Sequence, residues 1–362
     1  MKEQSNVLNW MIDSGCDVIR YRTAAELARS YSKHNLEELE RDLLKSVVVR
    51  YWLCCLNGRI GFNDIHGSRD TCFENAIGKL TLLGVRQGMG VFDRRCKPYL
   101  SLLRHAKIEP NAIGELYATI VASLLAMAGH ITESVVRERI EERLDTVYSF
   151  VRNGEYSIHV GKSKFKNIPS AFKHYSLIDP DLYVEGRFAL PLIYDLFSFS
   201  VLLKHTKDRS IKNKIGRVIS YILDPRYQRL PDGYGIVLTG KNRYNVMGWN
   251  VWLPGYDGMH SDDFKMGCLV QRLELLSRFP GTLSHPWFIK NMDRLESFAV
   301  EDGKYTFPKQ HIQERRNSYF VAGGHMGLGE DRRRKLAYTM ESTFWMNRIM
   351  SNTTGKKEAK WP

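Results

Sequence analysis

The chain has 362 residues, 43% of them hydrophobic, and a formal net charge of +13 at pH 7. That length suits one large domain or two smaller ones with a substantial core, and no apolar run approaches the ~18 residues of a membrane span. The opening residues, Met-Lys-Glu-Gln-Ser-Asn, lack an apolar signal core, so a soluble, cytoplasmic protein is expected.

The positive charges are scattered through helical segments, apart from Arg332–Lys335 and the Lys356–Lys360 tail, which weighs against a nucleic-acid partner. The six cysteines show no C-x-x-C spacing, the usage of reduced thiols rather than metal ligands.

Val7–Ile12 is a short apolar segment that Ser14-Gly15 breaks. Thr23 and Glu26 have the spacing of a capping box and predict a helix start. Leu36, Leu39, Leu43, Val47 and Tyr51 recur at three- and four-residue intervals, the pattern of one long helix over 36–56 ending at Asn57-Gly58. Thr71 and Glu74 form a second capping box, opening a helix that Gly84 closes. Helical patterns follow at 97–106, 113–128 and 133–151, with Gly129 as a stop, and again at 190–205, 209–223, 262–279, 285–298 and 333–350. The total is about twelve helices.

Two stretches, 153–189 and 224–261, are irregular and too long for ordinary connections. Their aromatic content predicts ordered lids or cavity walls rather than disordered linkers. A weak repeat recurs at Asn57-Gly-Arg-Ile-Gly-Phe62, Asp232-Gly-Tyr-Gly-Ile236 and Asp302-Gly-Lys-Tyr-Thr-Phe307. Helix pairs with a recurrent glycine turn predict a solenoid, open or closed into a ring.

Candidate chemistry concentrates towards the C-terminus. Gly323, Gly324, Gly327 and Gly329 bracket His325, with Glu330 just beyond and Glu341 in the next helix beside Met340, Phe344 and Trp345. This invites an acid–base pair of His325 with Glu330 or Glu341, although Glu341 equally suits a structural ion pair with Arg332–Arg334. Asp257, His260, Asp262 and Asp263 gather on one turn, the residue types of a cation site or of general acid–base work. Ser261 or Asp262 there also suits a plain helix cap.

Tyr234, Tyr244, Trp249, Trp252 and Tyr256 make 224–261 the most aromatic part of the chain, suited to walling an apolar or carbocation-like ligand. His66 sits on a turn of the repeated type and is a further candidate for the cavity mouth. Lys162, Lys164 and Lys166 lie on one side if extended, facing an anion. Gly161-Lys-Ser163 is not a P-loop, because Tyr156 stands where the first glycine is required. No H-E-x-x-H, G-x-S-x-G or strand-linked G-x-G-x-x-G is present, which leaves zincin, α/β-hydrolase and dinucleotide readings without support.

Through Asp17-Val-Ile-Arg-Tyr-Arg-Thr23, the Gly58-Arg-Ile-Gly61 turn with its Glu74 helix, Tyr234-Gly-Ile236, Gly324-His-Met-Gly-Leu-Gly-Glu330 and Glu341-Ser-Thr-Phe-Trp345, the chain resembles the α/α-toroid superfamily of terpenoid cyclases and protein prenyltransferases. The resemblance implies an all-α fold, a helix-pair toroid over 1–350 with a central aromatic cavity, followed by a basic tail over 351–362. It implies an isoprenoid-type enzyme acting on an apolar or diphosphate-bearing small molecule. The superfamily's D-x-D-D and D-D-x-x-D motifs are missing, the nearest strings being Asp179-Pro-Asp181 and His260-Ser-Asp-Asp263, and no cofactor is assigned.

Two other classes stay open. One is a carbohydrate-active α/α-barrel hydrolase or lyase with Asp257, Asp263 or Glu341 as paired carboxylates. The other is a noncatalytic helical-repeat protein binding an acidic partner.

Overall fold

Helix formation starts earlier than the capping-box pattern predicts, as the computed structural model, which describes residues 2–28, 31–105, 110–258 and 267–354, makes plain. After α1 (Lys2–Ser14), α2 (Asp17–Arg22) runs straight into a wide π-type turn, Thr23–Leu27. Thr23 is itself helical (φ −62°, ψ −47°) and caps nothing. Glu26 turns to the Arg22 guanidinium at 2.9 Å instead of reaching back to an N-terminus.

The long 36–56 helix is two, α3 (Lys33–Lys45) and α4 (Val47–Cys55). Ser46 between them is extended at ψ 142°, and its hydroxyl donates to the Leu43 carbonyl at 2.7 Å, closing the first helix. Both sides keep helical spacing, so periodicity alone does not reveal the break. A short α5 (Phe62–Ile65) precedes α6 (Phe73–Leu82). The cap of α6 falls on Cys72 rather than Thr71, and the left-handed Gly84 (φ 91°) ends it as predicted.

The chain divides into two compact units, Met1–Lys97 with Pro254–Lys360, and Pro98–Leu253. The boundary falls inside α7 (Gly90–His105), where Pro98 sits mid-helix. In the second unit, α8 (Ala112–Met127) is apolar almost all round and packs against α9 (Ser134–Val151) and α10 (Ile193–His205). α11 (Arg209–Leu223) packs on α9 and is followed by a single turn, α12 (Pro225–Gln228). In the first unit, α13 (Leu269–Leu276), α14 (Pro286–Glu296) and α15 (Ala337–Thr353) complete the helices. α15 takes in the first residues assigned to the tail, while 355–362 lie outside the described residues.

The described chain is mostly helical, and the two irregular stretches supply what helical pattern-reading missed: a four-stranded sheet in the order β1 (His159–Val160), β2 (Leu177–Ile178), β3 (Gly235–Gly240), β4 (Arg243–Met247). β1 and β2 are antiparallel, β2 and β3 parallel through Leu177 and Ile236, and β3 and β4 form a hairpin. Leu177, Ile236 and Tyr244 make a small core under it, joined by Phe165, Ile168 and Phe172. The stretch of Lys162 is not extended, since Lys162–Lys164 forms a 3-10 turn and Lys162 Nζ donates to the Lys173 carbonyl at 2.6 Å.

The weak repeat survives as backbone conformation. Gly58 (φ 81°), Gly233 (φ 76°) and Gly303 (φ 70°) are all left-handed, a conformation glycine adopts without a Cβ penalty. Among the described residues no helix is long and apolar enough to cross a membrane.

Candidate functional site

In the first unit, α4 and the glycine-rich C-terminal stretch border an open cleft of about 740 Å3, with Cys16, Val48, Tyr51, Trp52, Glu314 and Arg316 among its walls. The stretch folds back on itself as an isolated antiparallel bridge that sets Glu314 directly opposite His325. Met326 N–H to the Gln313 carbonyl (2.7 Å) and Arg315 N–H to the Gly324 carbonyl (2.8 Å) hold the pairing. Directly opposed residues on a bridge share a face, which brings the carboxylate and the imidazole together.

Glu314 is anchored from behind. Lys79, on α6, has a side chain only 1% exposed, whereas Glu314 keeps 32% of its side chain open. The three ammonium hydrogens of Lys79 meet three acceptors: Glu314 Oε2, the His325 carbonyl at 3.1 Å and the Gly327 carbonyl at 2.6 Å. Gly327 N–H donates to the same Glu314 Oε2 at 2.8 Å. A Cβ on Gly327 would stand 2.7 Å from that oxygen and 3.0 Å from Arg332 Nη2, so this glycine permits the close approach. Burial by itself pushes the Glu314 carboxyl up, but the Lys79 charge beside it, with His325, outweighs burial and holds it down at about 2.

His325 is fully buried and edge-on to Trp52, with ring centroids 5.0 Å apart. Its Nε2 lies 2.6 Å from the Ser318 carbonyl, which can only accept, so Nε2 carries a proton. That leaves Nδ1 3.9 Å from Glu314 Oε1. Oε2 takes the Lys79 and Gly327 hydrogen bonds, so Oε1 is the oxygen turned to His325.

At the rim, the Arg316 guanidinium lies 4.3 Å over the Tyr51 ring and donates to both Asp70 and the Tyr51 hydroxyl. Tyr51 OH in turn donates to Asp70 Oδ2 at 2.9 Å, and burial raises its pKa. Cys16 is unsuited to nucleophilic work, because burial and the adjacent Glu330 push its thiol far above the usual range. Among the described residues no group of three His, Cys, Asp or Glu stands close enough to hold a metal ion.

Compared with known proteins, the chain matches no protein-family model, no curated protein and no solved structure. Its function is therefore read from the chemistry of its own pockets.

The predicted site residues divide between the units. In the first, Glu330 Oε1 accepts Cys16 N–H at 2.6 Å, so this carboxylate closes the start of α2. Glu341 is buried, accepting from Arg332 Nη2 at 2.6 Å and from Leu328 N–H at 2.6 Å. Burial raises its carboxyl, with Arg332 pulling the other way. His66 pairs through Nδ1 with the buried Glu74 at 2.9 Å, beside the Tyr319 ring. Tyr256 is buried and stacks with His285, and Asp257 is exposed in a left-handed conformation (φ 44°). His260, Asp262 and Asp263 lie outside the described residues.

In the second unit, Tyr234 OH is buried between the Pro191 carbonyl and Tyr227 OH, and Tyr244 OH donates to the Lys166 carbonyl at 2.9 Å. Trp249 is left-handed (φ 69°), its carbonyl accepting Ile193 N–H at 2.8 Å, and Trp252 is buried. These aromatics pack the irregular stretch. Of the predicted residues that the structure describes, His325 is the one placed against the first unit's pocket residues Trp52 and Glu314. Lys79, Glu314, Tyr51, Trp52 and Arg316 escaped the sequence reading; the one available signal was Lys79, a lone charge inside the apolar run Ala76–Leu83.

Proposed function

We propose that the chain is an isoprenoid-type enzyme, prenyltransferase- or terpenoid cyclase-like, and that the first unit's pocket holds the electron-poor carbon of its substrate. The observation that carries this reading is Glu314, a carboxylate kept ionised by the buried Lys79 and open to a pocket walled by Trp52, Tyr51 and Val48. When a prenyl diphosphate ionises, the carbon–oxygen bond breaks, diphosphate leaves with the electron pair and an allylic cation remains. A preset negative charge next to aromatic rings stabilises that cation more than it stabilises the neutral substrate. Lys45 and Arg316, both largely exposed and on the same pocket, suit the departing diphosphate. Glu314 is too acidic to serve as a general base at neutral pH, which makes its role electrostatic.

The test uses a tertiary amine bearing a geranyl chain, protonated at pH 7, as a stand-in for the cation. Tryptophan fluorescence of the full chain should report saturable binding that Glu314→Gln weakens about tenfold, or ~1.4 kcal/mol. Incubation with geranyl or farnesyl diphosphate should release diphosphate. Amine binding indifferent to Glu314→Gln, together with no release from either diphosphate, would sink the reading. Amine binding without any release would leave a noncatalytic binding protein.

A further inference from the structure

The second unit has a pocket of its own, of about 530 Å3, formed by one face of α9 with Glu115 of α8 and Arg187. Arg139, Arg143, Thr146 and Ser149 recur along α9 at three- and four-residue spacing, so a single helix face presents two guanidiniums and two hydroxyls.

The two guanidiniums have different duties. Arg143 is 3% exposed and fully committed, donating to Asp195 through Nε (2.9 Å) and Nη2 (2.8 Å) and to the Phe188 and Leu190 carbonyls. Arg139 is 26% exposed and pairs with the buried Glu115 and, at 3.6 Å, with the exposed Glu142. Arg187 is exposed, and its guanidinium has no ion pair among the described residues. The buried carboxylates Asp195 and Glu115 are already neutralised by the arginines, and the exposed Asp145 pairs with Lys214 at 2.5 Å.

We propose that this pocket binds a phosphate ester of a small polyhydroxy compound, a sugar phosphate in chemical class. The guanidinium fork matches phosphate oxygens, and the exposed part of Arg139 and the guanidinium of Arg187 both line this pocket. Glu142 and Asp145, both largely exposed at the same pocket, accept hydroxyl hydrogens from the organic part. The volume exceeds what inorganic phosphate needs and lies within the range of small-ligand sites. This site belongs to the second unit and does not rest on the isoprenoid reading of the first.

Calorimetric titration of the full chain with a hexose 6-phosphate, inorganic phosphate and the unphosphorylated hexose tests it. The ester should bind once per chain, at least tenfold tighter than inorganic phosphate, and the free hexose should not bind measurably. Arg187→Gln should weaken the ester about tenfold without changing the unfolding midpoint, because that guanidinium holds nothing else in place. Glu142→Gln, which removes a hydroxyl acceptor and releases Arg139 from an ion pair, should narrow the margin of the ester over inorganic phosphate. Absence of saturable ester binding, equal affinity for ester and inorganic phosphate, or an affinity unmoved by Arg187→Gln each overturns the proposal.

Discussion

The two pockets are built from the same parts with the signs exchanged. In the first unit the cation is buried, Lys79, and the carboxylate, Glu314, is presented. In the second the carboxylates Asp195 and Glu115 are buried, and the guanidiniums of Arg139 and Arg187 are presented. A buried charge costs several kcal/mol unless it is paired and hydrogen-bonded, so Lys79 is matched by Glu314 and Glu115 by Arg139, each partner staying partly exposed, while Arg143 and Asp195 are enclosed together. Glu314 and Arg139 are each the more exposed member of a pair whose other member the fold encloses.

The largest test of that comparison is Arg143→Met. It leaves Asp195 buried and unpaired, with two backbone carbonyls short of a donor, and should cost ~3–5 kcal/mol in urea unfolding of the second unit. Lys79→Met should cost less, ~2 kcal/mol, because water reaches the Glu314 left behind. Equal losses would mean that presenting one partner makes no energetic difference, and the comparison would break.

The acid limb sharpens it further. The Glu314 carboxyl lies at about 2 in the folded chain against an ordinary 4.5, so the unfolded chain takes up the proton first. Its contribution is complete above about 4.5 and is lost as pH falls towards 2. Urea midpoints of Glu314→Gln should therefore vary less with pH than those of the parent across this window. An unchanged slope would show that Glu314 is not held ionised. Tyr51→Phe, which removes one of several hydrogen bonds to Asp70, should cost ~1 kcal/mol. Arg187→Gln should change stability by under ~0.5 kcal/mol, since its head group is spent on nothing in the described protein.

Much of the helical architecture was legible. The segment 209–223 is one helix, and Gly84 and Gly129 stop helices with positive φ. The strands were not, because β2 and β3 are short apolar runs that become strands only when Leu177 meets Ile236 from a distant part of the chain. The candidate site was half legible. His325 stands out among its glycines and is buried, whereas Glu314 is followed directly by Arg315-Arg316 and has no distinguishing neighbour in the sequence. Nothing local marks it, since its partner Lys79 is 235 positions away. Glu341 carries the reverse lesson, for its arginine lies nearby in sequence and the structural ion pair could be foreseen.

By itself, then, the amino-acid order determined that the chain is mostly helical, that Gly84 and Gly129 stop helices, and that His325 lies among glycines ahead of the 337–353 helix. These are properties of backbone sterics and apolar periodicity, which act over a few residues. Only the tertiary structure decided that Lys79 faces Glu314 and that Glu115 faces Arg139, and so which member of each pair is presented. Electrostatic and hydrogen-bond energies depend on distance through space and on burial, and neither quantity exists until the distant segments pack.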